Sequence, residues 1–215
     1  MLFTRLDDPA TIIGLLVALL VGITFHEFMH AFVADQLGDH RPRAMGRVSL
    51  NPTDHIDPVG ALFFVIAGFG WGKPVMVNPV ALRPGRIGMA YVAAAGPLAN
   101  LVVASVAAVA FRGVVLAGVA EGPNDFVWQL LFAIVQFNII LGLFNLLPIP
   151  PLDGYNLVLP FLPLDVAYTV QRYAPYGVMV LLLLVLLPQL GAGGFNPLGW
   201  LFVAANAITG LLTGV

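Results

Sequence analysis

The chain has 215 residues, of which 60% are hydrophobic and only 9% charged, against about 25% charged in ordinary soluble chains; with a mean hydropathy of +0.95 it reads as an integral membrane protein. A net charge of −2 and a pI near 6.0 offer no basic surface for nucleic acid, and several spans leave no room for a sizeable soluble domain, so residues 1–215 are expected to form one domain. With no cysteine, disulfides and thiolate ligands are excluded, and any metal must take histidine and carboxylate.

After a polar lead containing Arg5, Asp7 and Asp8, the first span is expected over residues 9–37, ended by Gly38. It lacks a clean small-residue cleavage site, so it is read as a span rather than a signal peptide. Residues 10–25 carry no ionisable side chain, and the run continues straight into His26, Glu27 and His30. Two histidines four residues apart share one helix face, so both rings can reach a single ion. Glu27 can face a ligand of that ion without binding it, the place from which a carboxylate in zinc hydrolases takes the proton of an activated water. At 1.5 Å per residue His26 falls roughly 24 Å along the helix, inside a hydrocarbon core about 30 Å thick. Ionisable groups at that depth are costly and usually functional, which favours a metal site over a chance match or polar contacts between helices.

Residues 39–57 are polar and rich in turn formers; alternation in 45–50 predicts a short strand, and 73–78 a second. Between them, residues 59–69 are apolar but too short to span, and read as re-entrant or interfacial. The second span is expected over 87–111, with Gly96-Pro97-Leu98-Ala99-Asn100 in its middle. The third, over 126–147, stops where Pro148, Pro150 and Pro151 prevent regular helix. Shorter apolar helices follow over 175–188 and 195–212. The expected fold class is therefore an all-α polytopic membrane protein of about five transmembrane helices, with a three-helix core at about 9–154, a small membrane-associated β-sheet or re-entrant segment, and C-terminal helices at about 174–213.

Lys and Arg set the orientation. Six of the nine, Arg41, Arg43, Arg47, Lys73, Arg83 and Arg86, lie between the first and second spans, which places that link in the cytosol and the N-terminus outside. Spans one and three then run the same way, bringing His30 and the break at 145–154 to one face. Asp153 is the only acidic residue of that break, and its carboxylate can complete a His-His-carboxylate site provided 59–69 does not cross.

Together these stretches resemble the site-2 protease family of intramembrane zinc metalloproteases, in particular its compact prokaryotic members without PDZ or CBS domains. The likeness is carried by His26-Glu27-Phe28-Met29-His30, by Gly46-Arg47-Val48-Ser49-Leu50-Asn51-Pro52 and His55-Ile56-Asp57-Pro58, by Gly70-Trp71-Gly72-Lys73-Pro74-Val75, by Ala95 to Asn100, and by Asn145-Leu146-Leu147-Pro148 with Leu152-Asp153-Gly154. The resemblance implies one zinc ion per chain on His26, His30 and Asp153, Glu27 as catalytic base, and a transmembrane protein or peptide as substrate. It also implies a multi-pass protein of the prokaryotic inner membrane, in contact with the lipid bilayer, with its active site toward the cytosol. A substrate segment must unwind to expose a peptide bond, and adding it as a strand to the 45–50 or 73–78 edge would satisfy its backbone.

Asn100 and Asn145 are candidates for substrate contact, the first open also to plain helix packing and the second to capping the broken third helix. His40 and His55 are read as loop bystanders, and Gln136 and Asn138 as hydrogen-bond partners between helices. A zinc-binding transporter, a scaffold and a pseudoprotease are the alternatives. Transport wants ligands along a path across the bilayer, whereas these converge at one face, and the retained Glu27 speaks against a pseudoprotease.

Overall fold

The computed structural model describes residues 8–67, 70–83, 85–188 and 196–215. Arg5 and Asp7 of the polar lead, the 68–69 end of the short apolar segment and Phe195 at the start of the last predicted helix lie outside them. In chain order the helices are α1 (Pro9–Gln36), α2 (Arg41–Ala44), α3 (Pro58–Ala67), α4 (Arg86–Leu116), α5 (Phe126–Asn145), α6 (Asp153–Val158), α7 (Leu164–Tyr173), α8 (Gly177–Leu186) and α9 (Gly199–Thr213).

The ends of α1 follow from local chemistry. Asp8 accepts the Ala10 N–H at 3.2 Å and Pro9 occupies the first helical position, where its missing N–H costs nothing. Gly38, at φ +111°, stops the helix in a conformation that other residues rarely adopt. The core is the bundle of α1, α4 and α5, which pack most extensively on one another. Gly14, Ala18 and Gly22 of α1, each four residues apart, face Ala133, Phe137 and Asn138 of α5. In lipid, where apolar surface gains little by leaving its solvent, such small residues let helices come close enough for dispersion and hydrogen bonds to hold them. On the far side of α5, Val135 and Ile139 pack with Ala104, Ala107 and Ala108 of α4 and with Ala205 of α9. Gln136 and Asn138 act between helices as expected: Gln136 donates to Asn206 Oδ1 at 2.8 Å, and Asn138 accepts from Asn100 at 2.9 Å.

Two expectations are corrected. Four helical stretches, not five, are long and apolar enough to cross a bilayer among the described residues: Pro9–Gln36, Arg86–Leu116, Phe126–Asn145 and Leu164–Leu186. The last joins α7 to α8 through a tight turn at Ala174–Tyr176 and begins earlier than the predicted 175. α9 has 15 residues, a length of about 22 Å, short of a hydrocarbon core of about 30 Å. The second correction concerns the sheet. No strand forms among the described residues; a single antiparallel bridge joins Ile56 to Gly72. Residues 45–50 are a turn and irregular loop, because Gly46 sits at φ +73° and the Arg47 N–H closes onto the Pro42 carbonyl at 2.8 Å. Residues 73–78 are held at their ends instead of along a ladder. The Lys73 N–H donates to the His55 carbonyl at 2.7 Å, and the Asn78 N–H donates to the Asp39 carboxylate at 2.6 Å.

Asp39 anchors that loop. It is 1% exposed and takes a forked pair of bonds from Arg41, both at 2.9 Å. The Arg41 bonds, helped by the Asn78 N–H, hold its carboxyl down at about 2 against the opposing effect of burial. α3, with ten residues and a length of about 15 Å, is too short to cross a bilayer, in line with the reading of 59–69.

Candidate metal centre

His26 and His30 sit one turn apart on the buried side of α1. Asp153 is the first residue of α6, directly after the proline-rich break that ends α5. Leu147 and Leu152 in that break pack against Leu181 of α8 and Leu198 and Leu201 at the start of α9, so the C-terminal helices brace the loop that presents Asp153. The three donors converge. His26 Nε2 lies 3.0 Å and His30 Nε2 3.2 Å from Asp153 Oδ2, and the two nitrogens are 3.0 Å apart.

The hydrogen-bond network fixes what these atoms present. His30 Nδ1 is 2.7 Å from the Val92 carbonyl, which can only accept, so Nδ1 carries a proton and, in the neutral ring, Nε2 is the atom left with a lone pair. His26 Nδ1 is 2.7 Å from Asn100 Oδ1. The Asn100 amide cannot be reversed, since its nitrogen donates to the Gly22 carbonyl at 3.0 Å and to Asn138 Oδ1 at 2.9 Å, while Asn138 donates to the Ile134 carbonyl at 2.8 Å. His26 therefore also turns a lone pair inward. Three lone-pair atoms crowded this closely repel unless a positive charge lies among them. Two imidazole nitrogens and one carboxylate oxygen suit zinc, whose bonds of about 2.0–2.1 Å in a tetrahedron set ligands about 3.3 Å apart and leave a fourth position open. The donor set thus fits a zinc ion.

α4 forms the wall behind the pair. A methyl on Gly96 would lie 2.4 Å from His30 Nε2 and 2.7 Å from His26 Cε1, so the rings rest on a bare backbone. Pro97 follows inside the same helix and removes the N–H that would reach the Ala93 carbonyl. Glu27 lies beside the pair with its side chain 14% exposed. Among the described residues no hydrogen bond occupies its carboxylate; the nearest cation is Arg47 Nη2, 3.9 Å from Oε2, beyond hydrogen-bond range.

The structure therefore brings His26, His30 and Asp153 together, with Glu27 adjacent in sequence. It places Asn100 behind His26, fully buried and with both ends of its amide engaged. Asn145 is half-buried at the end of α5 and folds its amide back onto the Leu141 carbonyl at 2.9 Å. His40 is exposed but bonded to the buried Asp35 at 2.9 Å. His55, expected to be a bystander, is completely buried, with Nε2 on the Ser49 carbonyl at 2.7 Å. Three neighbours of the site were given no role there from the sequence. Gly96 had a signal, a glycine before proline in mid-span; Arg47 looked like one more loop cation; and the Val92 carbonyl, being main chain, had none.

The chain is 36% identical over 195 residues to a Bacillus subtilis protein named "Putative zinc metalloprotease YwhC", a match covering 83% of this chain and 86% of that protein. The chain belongs to the site-2 protease family. Mycolicibacterium smegmatis and Mycobacterium tuberculosis proteins, both named "Putative zinc metalloprotease Rip2", match this site-2 protease at 30% identity over 210 residues and 32% over 196. Those matches cover 90% and 85% of the chain, and 76% and 70% of the relatives. No family model matches the chain, and no solved structure gives a significant match. A metalloprotease whose long helices are apolar enough to cross a bilayer, with bacterial relatives, is a membrane-bound hydrolase that requires a metal.

One prediction separates two roles for Asn100 in this site-2 protease. Outer partners that orient a ligating histidine typically contribute about 10–100-fold in metal affinity. Asn100→Ala should weaken zinc by that factor in competition with a chelator, and leave KM for a reporter peptide unchanged once zinc is saturating. A raised KM at unchanged zinc affinity would make Asn100 a substrate contact instead.

Proposed function

We propose that this protein is an intramembrane zinc endopeptidase that cuts transmembrane segments of membrane proteins near the cytosolic side of a prokaryotic inner membrane. The observation that carries the reading is the convergence of His26 Nε2, His30 Nε2 and Asp153 Oδ2 on an apolar helix, at a point roughly two thirds along its length. His26, His30 and Asp153 are the ligands and Glu27 the base. Bound there, zinc supplies Lewis-acid activation of water and of the scissile carbonyl. Glu27 takes the proton of the attacking water on a carboxylate to which no described residue donates a hydrogen bond and passes it to the leaving amine, so no covalent acyl-enzyme forms. Asn100 and the Val92 carbonyl hold the two rings in the tautomer that binds metal. Residues 73–78, which form no ladder among the described residues beyond the Ile56–Gly72 bridge beside them, give an unwound substrate a backbone edge to pair with. Asn145, whose oxygen is free of the bond its amide nitrogen makes, is kept as a second substrate contact.

The alternative of a zinc transporter gains nothing from the geometry, since the described donors form one cluster and not a path. Metal removal tests the reading. Purified protein in lipid nanodiscs should hold about one zinc per chain, cleave a reporter helix, lose that cleavage on dialysis against a chelator and regain it with added zinc. Cleavage that persists in zinc-free protein would refute it.

A further inference from the structure

Arg47 is 5% exposed, in contrast to the solvated side chains of its loop neighbours Arg41 and Arg43. Among the described residues its guanidinium makes one hydrogen bond, from Nη2 to the Lys73 carbonyl, and its buried Nε finds no partner. Nη2 stands 3.9 Å from Glu27 Oε2. A buried cation with a donor unmatched is a costly arrangement, and an apolar side chain would fill the space more cheaply if filling were its task.

Lys73 is also held from the other side, by the bond from its N–H to the His55 carbonyl at 2.7 Å. That bond flanks the antiparallel Ile56–Gly72 pair, so the pair has the narrow register in which Gly72 turns its own N–H and carbonyl away from Ile56. Gly72 also rests against α1. A methyl there would lie 2.9 Å from Ile23 Cγ2 and 3.3 Å from Glu27 Oε1. The side of Gly72 from which a side chain would project thus faces the Glu27 carboxylate, and the main chain of Lys73 fixes where one lies against the other.

We propose that Arg47 is a positioning residue for the substrate main chain: its grip on the Lys73 carbonyl sets the register of an unwound substrate segment along Gly72, and so selects which peptide bond meets Glu27. The proposal rests on the endopeptidase reading above. Because Nη2 is committed to Lys73, Arg47 contributes its charge beside Glu27 without taking a carboxylate oxygen away from water. One cationic donor suffices for the grip, which distinguishes it from a forked structural ion pair.

The test uses the full chain in nanodiscs with a reporter transmembrane peptide, products mapped by mass spectrometry, zinc content measured, and hydrogen exchange followed over residues 71–77. R47Q should keep its zinc, cut the wild-type bond at least 10-fold more slowly, spread its cuts over neighbouring bonds, and exchange at least 10-fold faster at 71–77. R47K, still able to reach the Lys73 carbonyl, should return the cut to the wild-type bond. An R47Q enzyme that cuts the wild-type bond alone, at whatever rate, overturns the proposal, as does loss of zinc with faster exchange throughout the chain. Should R47Q not fold, a folded, zinc-loaded R47K that scatters its cuts overturns it. Wild-type protein that cleaves no reporter at all overturns the endopeptidase reading and this proposal with it, whereas unchanged register in an active R47Q enzyme overturns this proposal alone.

Discussion

Glu27→Gln should leave zinc content at one per chain and reduce cleavage of a reporter helix by about 10²–10⁴-fold or more, the range for a positioned general base. The substitution keeps size and shape and removes only the capacity to accept a proton. The position makes a clean outcome expected: no hydrogen bond from the described residues meets the Glu27 carboxylate, so an amide there gives up only the 3.9 Å charge contact with Arg47, and the three donors that converge belong to His26, His30 and Asp153. Paired zinc analysis and single-turnover cleavage would check it. A Gln variant that cleaves at the wild-type rate would remove Glu27 from the mechanism, and one that loses zinc would show that its carboxylate helps to hold the ion.

Gly96→Ala should disable the same site from the opposite wall. Carbon atoms in good contact lie about 3.5–4.0 Å apart, whereas the added methyl would lie 2.4 Å from His30 Nε2 and 2.6 Å from His30 Cε1. Both rings are tied to the same α4 that carries Gly96, His26 by Asn100 and His30 by Val92, so they cannot retreat from it without stretching those bonds. Overpacking of this kind costs about 1–3 kcal/mol, which corresponds to zinc binding weaker by about 5–150-fold. A displacement of about 1 Å at the reacting groups costs a further 10²-fold or so in rate. Zinc titration and cleavage assays at saturating zinc separate these two losses. Full activity in Gly96→Ala would mean that α4 stands further from the histidines than described.

The parts of this site that sequence made legible are those governed by periodicity and parity. Two histidines at four-residue spacing share a face in any helix, and the shortness of 59–69 placed Asp153 at the same end as His30 without any knowledge of packing. The chemistry of Asn100 was not legible in the same way. Its side chain could serve substrate, packing or a histidine equally well until its amide was seen between Gly22, Asn138 and His26. The predicted strands failed for a related reason. Alternation reports which side chains share a face, but a strand also needs a neighbouring backbone, and here the Asn78 N–H is claimed by the carboxylate of Asp39 and the Lys73 N–H by a loop carbonyl. Counting positive charges treated Arg41, Arg43 and Arg47 alike. In the fold the first two find Asp39 and Asp35, while the third is drawn inward to a main-chain oxygen.

Asp153, the third converging donor, follows a loop whose leucines are held by Leu181, Leu198 and Leu201, all of them later in the chain. Both imidazoles are carried by α1, whereas the loop ahead of the carboxylate shares its apolar seat between α5 and the later helices α8 and α9. Truncation ahead of α8 would therefore leave both imidazoles in place and loosen the seat of the carboxylate that meets them.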